Sequence, residues 1–252
     1  MSTNSKVCAL VLAAGKGTRM KSENPKVATL LNGKPLISYV IESLISIGVE
    51  EIVVVVGFKK EVVIGLLNAY PNIRFVEQKE QLGTGHAVLT AESLLGEFSG
   101  DIIVCCGDVP LISSKSFSKI LQEHKKNNNF VTVLSARVEQ PKGYGRMIRN
   151  SKNQLQYIVE EKDATDEERK VTEINTGTYI FNSPSVFSNL KSINSNNAQN
   201  EYYLPDLVKI YNSQNQRTDA IILENALEGT GVNSPEDLEY LELLISQGKL
   251  LV

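Results

Sequence analysis

Histidine and cysteine are nearly missing from this chain of 252 residues, which holds two of the first and three of the second. A structural zinc site or a disulfide framework needs a cluster of such residues, and Cys8, Cys105 and Cys106 form none. Two of the thiols fall within one apolar run and the third opens another, so buried free thiols in a reducing cytosol are expected. His86 opens a helix with no visible Ser, Cys or carboxylate partner and is expected to be structural. His124 lies among Glu123, Lys125 and Lys126 and is expected on the surface. With no nucleophile motif beside them, a serine or cysteine hydrolase is poorly supported. An excess of positive charge is missing too. Lys and Arg total 26 against 29 Asp and Glu, which argues against a nucleic-acid-binding surface but leaves room for a local basic pocket. No apolar run approaches the ~20 residues of a membrane span. The polar opening Met1-Ser2-Thr3-Asn4-Ser5-Lys6 does not read as a signal peptide. A cytoplasmic location is the expectation.

Ordinary globular composition, 42% hydrophobic and 22% charged, provides ample material for a core. The first half alternates short apolar runs with amphipathic stretches. A buried strand ends in Leu12-Ala13-Ala14, and Ile37, Val40, Ile41, Leu44 and Ile45 then mark one face of a helix over 34–47. Pro35 suits its first turn and Gly48 its stop. Strands follow over 51–56, 73–76, 101–106 and 130–138, with helices over 59–69, 85–95 and from Ser113 or Ser114 to about 126 between them. Val53 to Val56 is the pattern of a strand buried on both faces. This β-α-β order predicts a parallel sheet with helices on both sides. Beyond 140 the regularity breaks. Strands are expected over 146–149, 155–159, 173–181 and 218–223, and helices over 184–190 and 204–211. Thr165 and Glu168 have capping-box spacing for a short exposed helix within 163–170, and Ser234-Pro235 opens a last helix that Gly248 follows. There is no internal repeat and no linker.

Ligands of an open α/β sheet bind at the carboxyl ends of its parallel strands, so the residues following each strand are the informative ones. Gly15-Lys16-Gly17-Thr18-Arg19 follows the first. Met20 stands where a dinucleotide fingerprint has its third glycine, and no Walker A sequence is present. Two glycines with Lys16 and Arg19 suit an anion, and equally an ordinary tight turn. Lys26, after Pro25, adds a cation near that loop or a solvated surface charge. Gln78 has an amide able to read a base edge, and Gly83-Thr84-Gly85 supplies backbone N–H groups at a helix start. Asp108, after an apolar strand and Gly107, is placed to hold Mg²⁺ or to cap the following turn. Mg²⁺ takes only one or two carboxylates from a protein, so the scarcity of clustered acids is no objection.

Further motifs complete a pattern: Glu80-Gln81-Leu82-Gly83-Thr84-Gly85-His86-Ala87, Gly107-Asp108-Val109-Pro110-Leu111, Gly143-Tyr144-Gly145-Arg146, Val159-Glu160-Glu161-Lys162-Asp163-Ala164, Glu173-Ile174-Asn175-Thr176-Gly177, Glu201-Tyr202-Tyr203 and Gly231-Val232-Asn233. With Leu12 to Met20 and Pro25-Lys26, they resemble the uridyltransferase (pyrophosphorylase) part of bacterial N-acetylglucosamine-1-phosphate uridyltransferases, within the sugar-nucleotidyltransferase group. The resemblance runs from residue 12 to residue 233 in the family's order. It implies an α/β fold, a Rossmann-like mixed, mostly parallel sheet with helices on both faces. It implies one domain over 1–252, with a nucleotide-binding half at 6–140, a sugar-binding half at 141–233 and a C-terminal helix at 234–252. The implied reaction is Mg²⁺-dependent transfer of a uridylyl group from UTP to N-acetylglucosamine 1-phosphate, for cell-envelope precursor synthesis. By the same resemblance, Leu12, Ala13, Ala14, Gly15, Gln78, Gly83 and Thr84 hold the nucleotide. Arg19 and Lys26 contact the phosphates, and Asp108 and Asn233 bind Mg²⁺. Gly145, Glu160, Asn175 and Tyr203 hold the amino sugar.

Two departures bear on selectivity. Cys106 stands where many members carry an aromatic residue, and Pro205 where a hydroxyl residue is often found. The bifunctional members continue into a left-handed β-helix with acetyltransferase activity. The sequence to Val252 has no hexapeptide repeat, so that second activity is not expected of it. As that β-helix supplies much of the assembly in trimeric relatives, a monomer or weak homo-oligomer is expected. A related transferase for another nucleotide or sugar phosphate, and a silent nucleotide-sugar sensor, are the alternatives.

Overall fold

The structure, a computed structural model, describes residues 6–20, 22–183 and 185–250. β1 (Lys6–Ala13) runs down the middle of the sheet. After a 3₁₀ turn at Thr18–Met20 and another at Lys26–Ala28, β2 (Leu30–Leu31) and β3 (Lys34–Pro35) make a small separate hairpin before α1 (Leu36–Ser46). Then come β4 (Glu51–Val56), α2 (Lys60–Leu67), β5 (Ile73–Glu77), α3 (Thr84–Thr90), α4 (Glu92–Leu95), β6 (Gly100–Cys106), α5 (Ser114–Asn127) and β7 (Val131–Arg137). The second half contributes β8 (Arg146–Arg149), β9 (Leu155–Val159), α6 (Asp166–Arg169), β10 (Glu173–Ser183), α7 (Ser185–Leu190), α8 (Asp206–Ser213), β11 (Thr218–Ile222) and α9 (Pro235–Ser246). The main sheet is ordered β11-β7-β10-β6-β1-β4-β5, and β8 branches from β10 to pair with β9. Neighbours β6-β1-β4-β5 are parallel, as are β7 and β11, whereas β10 is antiparallel to both β6 and β7. The mixed, mostly parallel sheet that the sequence predicts is therefore present.

Side-chain alternation explains why β1 can be apolar throughout. Cys8 and Leu10 join one core layer while Ala9, Val11 and Ala13 join the other. The first layer is closed by α3, α7 and α8 through Val88, Phe187, Leu207 and Tyr211. Against the second lie α1, α2 and α5 through Ile41, Leu44, Leu67 and Phe117. A third, smaller cluster seats α9 on the hairpin and on Met20, with Leu241 and Leu244 buried against Leu31, Leu36 and Tyr39. Each such leucine contributes about 2 kcal/mol by leaving water, well above the few tenths of a surface helix pair. That anchoring holds the segment just before α9 at the rim of the sheet. No helix among the described residues is long and apolar enough to cross a membrane.

Several expectations need correction. His124 is buried, at 2% exposure, not on the surface. It lies with Phe117 and Ile120 on the inner face of α5, its Nδ1 2.8 Å from Thr132 Oγ1 and its Nε2 3.5 Å from Asp101 Oδ1. Pro35 is not in the first helical turn. It pairs with Leu30 in the hairpin and precedes α1 as its N-cap. The helix expected over 85–95 starts at Thr84 and breaks at Ala91 into α3 and α4. The helix expected over 204–211 starts only after Pro205, which is its N-cap. Pro184, where a helix start is expected, lies outside the described residues, and α7 begins at Ser185. Of the caps, Ser113 serves α5, and both Thr165 with Glu168 and Ser234 with Asp237 form full capping boxes.

Candidate active site

The carboxyl ends of β1 and its parallel neighbours share one rim. Register sets Leu12 beside Val55 and Cys106, so the loops after β1 and β6 leave the sheet side by side. Gly17, at φ +65°, belongs to the first of these loops. A Cβ there would lie 2.5 Å from Lys26 Cβ, so only glycine lets Lys26 fold back over the loop. Lys26 Nζ donates to Asn233 Oδ1 at 3.0 Å and forms an ion pair with Asp108. Arg19 Nη2 donates to that same oxygen at 3.0 Å. Val232 N donates to the carbonyl of Asp108 at 2.9 Å, and Asp237 accepts from Asn233 N at 2.8 Å. Four residues expected at the phosphates and metal thus form one polar knot drawn from distant parts of the chain.

Two lobes open on either side of the knot. The first, about 260 Å³, is lined by Leu12, Ala13, Ala14 and Gly15 and by Gln78, Gly83 and Thr84 from across the rim. Gln78 is 3% exposed. Its Nε2 donates to the Gly83 carbonyl at 3.1 Å and lies 3.1 Å from His86 Nδ1. With that nitrogen so held, Gln78 Oε1 is the atom left to accept from a ligand. Gly83 stands at φ +107°, where a Cβ would meet Tyr202 O at 2.7 Å and Tyr202 N at 2.8 Å. Around it Gly85 N donates to Tyr202 O, Tyr202 N to Leu82 O and Leu204 N to Thr84 Oγ1. These bonds lace the 201–204 segment of the second half onto the loop that lines the first lobe.

The second lobe, about 200 Å³, takes Gly145, Glu160 and Asn175, together with Asn233 and Asp108. Asn175 Nδ2 donates to Tyr179 Oη at 2.6 Å, and its Oδ1 accepts from Gly177 N at 3.0 Å, so the amide is fixed in orientation. Burial pushes the Glu160 carboxyl up to about 7, and Asp163, Asp206 and Glu201 add to the shift while Arg146 opposes it. Leu12, Thr84, Cys106 and Asp108 line both lobes, so Asp108 stands at their junction. Tyr203 is the one expected sugar residue set apart. It lines neither lobe, and its buried hydroxyl donates to Asp163 Oδ2 at 3.0 Å and accepts from Gln199 at 2.9 Å. Arg19 also lines neither lobe and reaches the site through Asn233.

Sequence reasoning gave no role to Tyr179 or Glu201. Asn175, Thr176, Gly177 and Tyr179 all line the second lobe, and a register shift in β10 between Asn175 and Thr178 breaks the alternation that would point from Asn175 to Tyr179. Glu201 lines the first lobe from the laced segment, and nothing in its local spacing marks it. No group of three or more His, Cys, Asp or Glu suited to a metal is found among the described residues. The donors suit a hard dication nonetheless, because the Asp108 carboxylate and Asn233 Oδ1 converge on one cationic point, now Lys26 Nζ. Two protein oxygens, completed by water and phosphate, are a usual Mg²⁺ complement.

Known proteins resemble this chain in sequence and in fold. The chain is 46% identical over 225 residues to the bifunctional protein GlmU of Acholeplasma laidlawii, spanning 89% of this chain and 48% of that protein. It is 44% identical over 239 residues to the GlmU of Oceanobacillus iheyensis, spanning 95% and 52%. It thus spans about half the length of the curated relatives it matches. A solved UDP-glucose pyrophosphorylase complexed with UDP-glucose superposes with a TM-score of 0.79, covering 97% of this chain and 99% of that one at 23% identity, which shows the shared fold. The sequence pattern described as nucleotidyl transferase matches residues 8–231, and the chain belongs to that family.

Proposed function

We propose that the protein transfers a uridylyl group from UTP to N-acetylglucosamine 1-phosphate, releasing pyrophosphate and forming UDP-N-acetylglucosamine. The observation that carries this reading is the position of Asp108, with Lys26 against it, where the two lobes meet. Two lobes joined at a carboxylate and a cation suit two ligands that meet at a phosphate, or the product that joins them. The first lobe suits a nucleotide, with the backbone of Leu12 to Gly15, Gln78, Gly83 and Thr84 around the uridine. The second suits a polyhydroxylated amino sugar, with an oriented Asn175 amide and the Glu160 carboxyl.

The chemistry asks little acid–base work of the chain. A phosphate monoester has a second pKa of about 6, so its dianion is abundant at neutral pH. Its oxygen forms the new bond to the α-phosphorus as the bond to the pyrophosphate oxygen breaks, and the leaving electrons stay on pyrophosphate. The task of the site is to bring two polyanions together and align them in line. Lys26 and Arg19 neutralise charge and orient oxygens, and Asn233 fixes both cations. Asp108 and Asn233 would hold Mg²⁺, which supplies charge neutralisation and a template for the phosphates when bound. Burial pushes the Cys106 thiol at the junction up to about 12, so it stays protonated at neutral pH, in keeping with direct transfer.

A second reading, another sugar phosphate or nucleotide, is favoured by Cys106, whose small side chain stands at the junction of the lobes. Pyrophosphate release measured with four nucleoside triphosphates against several sugar 1-phosphates separates the two. The proposal expects UTP with N-acetylglucosamine 1-phosphate to exceed every other pair. Binding of UDP-N-acetylglucosamine without turnover of any pair would make the protein a sensor instead.

A further inference from the structure

β9 delivers two adjacent carboxylates that face opposite ways. Glu160 lines the second lobe, while Glu161 turns back to the 143–145 loop. Glu161 Oε2 accepts from Gly143 N at 3.0 Å and from Arg146 Nη2 at 2.6 Å. Arg146 is 1% exposed, and its Nη1 donates to the Tyr144 carbonyl. A single ion pair therefore grips the backbone at both Gly143 and Tyr144. Asn175 N closes the other end of the loop by donating to the Gly145 carbonyl at 2.9 Å. Gly143, Tyr144 and Gly145 all line the second lobe, whereas Arg146 and Glu161 do not. Burial would raise the Glu161 carboxyl, yet the Gly143 N–H and the Arg146 guanidinium hold it below its ordinary range, so it is ionised at neutral pH.

We propose that Arg146 and Glu161 are positioning residues that fix the 143–145 wall of the second lobe and thereby set the affinity for the sugar phosphate without touching it. This rests on the reading of that lobe as the sugar-phosphate lobe. The strength of the pair comes from its surroundings. The buried guanidinium spends Nη2 on Glu161 and Nη1 on the Tyr144 carbonyl, and an Arg146 without Glu161 would be costly to keep in place. A pair that only stabilised the fold would weaken both substrates together or neither.

Glu161→Ala removes both bonds, and Glu161→Gln keeps the size and an acceptor for Gly143 while losing the charge. The test reads amide hydrogen exchange at Gly143 in the free protein and the KM of each substrate. For Glu161→Ala, exchange at Gly143 is expected to quicken about tenfold or more. KM for the sugar phosphate is expected to rise roughly tenfold to hundredfold, as for loss of a charged hydrogen bond. KM for the nucleotide and kcat are expected to stay within about twofold, in the pattern of lost uniform binding. Glu161→Gln is expected between Ala and wild type and guards against a variant that fails to fold. Unchanged exchange at Gly143, or equal rises in both KM values, would overturn the proposal. A wild-type protein that turns over no sugar phosphate would instead sink the functional reading, and exchange at Gly143 would still decide whether the pair holds the loop.

Discussion

The carboxylate of Asp108 and the amide oxygen of Asn233 rest on the same atom, Lys26 Nζ. One follows β6 and the other precedes α9, and the bond from Val232 N to Asp108 O keeps them together. Asp108→Asn preserves shape and removes the charge that the two lobes share. It is expected to lower kcat by about 10² or more while the melting temperature changes little, since Asp108 is partly solvated. Turnover near wild type at ordinary Mg²⁺ would remove Asp108 from the machinery.

Lys26 lies against Gly17 and faces the junction, where in the proposed reaction negative charge grows as the α-phosphorus takes its fifth oxygen. Lys26→Ala is expected to cost about 10²–10³ in kcat, with little change in either KM. Steady-state kinetics with each substrate varied in turn checks this. A rise in nucleotide KM alone would make Lys26 a uniform binding contact.

Gly83 joins the two halves of the molecule by having no side chain. Gly83→Ala would force a Cβ against the Tyr202 backbone at an unfavourable φ, so the laced 201–204 segment must shift. A loss of about 2 kcal/mol in stability, with weaker nucleotide binding, is expected. Urea denaturation with and without UTP measures both effects. An unchanged midpoint would mean that the lacing does not support the first lobe.

Glu160 opposes folding when it is charged. Its pKa is about 7 in the folded protein against 4.5 for an unperturbed carboxyl, burial being the main cause. The folded state therefore holds the proton more tightly, and stability falls as pH rises from about 4.5 to about 7. Glu160→Gln is expected to raise the melting temperature at pH 8, with most of that gain gone at pH 5, and to lower activity through the lost sugar contact. Thermal melts of both proteins across pH 4.5–8.5 test the sign. A gain independent of pH would assign the effect to something other than ionisation.

Much of this was legible before the fold was known, and the exceptions have physical reasons. Continuous apolar runs such as Val53 to Val56 identify buried parallel strands, and residues at the ends of β1, β5 and β6 and after them supply most of the first lobe, Glu201 being the exception from the second half. Both capping boxes were readable because a cap is a local bond between residues three apart. The antiparallel insertion of β10 between β6 and β7 was not, because strand direction and neighbours depend on crossovers that leave no local pattern. His124 was hidden by its charged neighbours, although Phe117, Ile120 and His124 share the inner face of a helix. Its role is a buried polar contact to Thr132 and Asp101, which tertiary packing alone reveals. Tyr203 has a family motif around it, but its hydroxyl is engaged by Asp163 and Gln199.

In the proposed reaction both substrates sit at once in lobes joined at Asp108 and react in a single in-line displacement. The most direct measurement is the stereochemistry of transfer from UTP made chiral with sulfur at the α-phosphorus. One displacement without a covalent nucleotidyl-protein predicts inversion at phosphorus in the nucleotide-sugar product. Retention would require two displacements and a nucleophile on the protein, and would contradict the account.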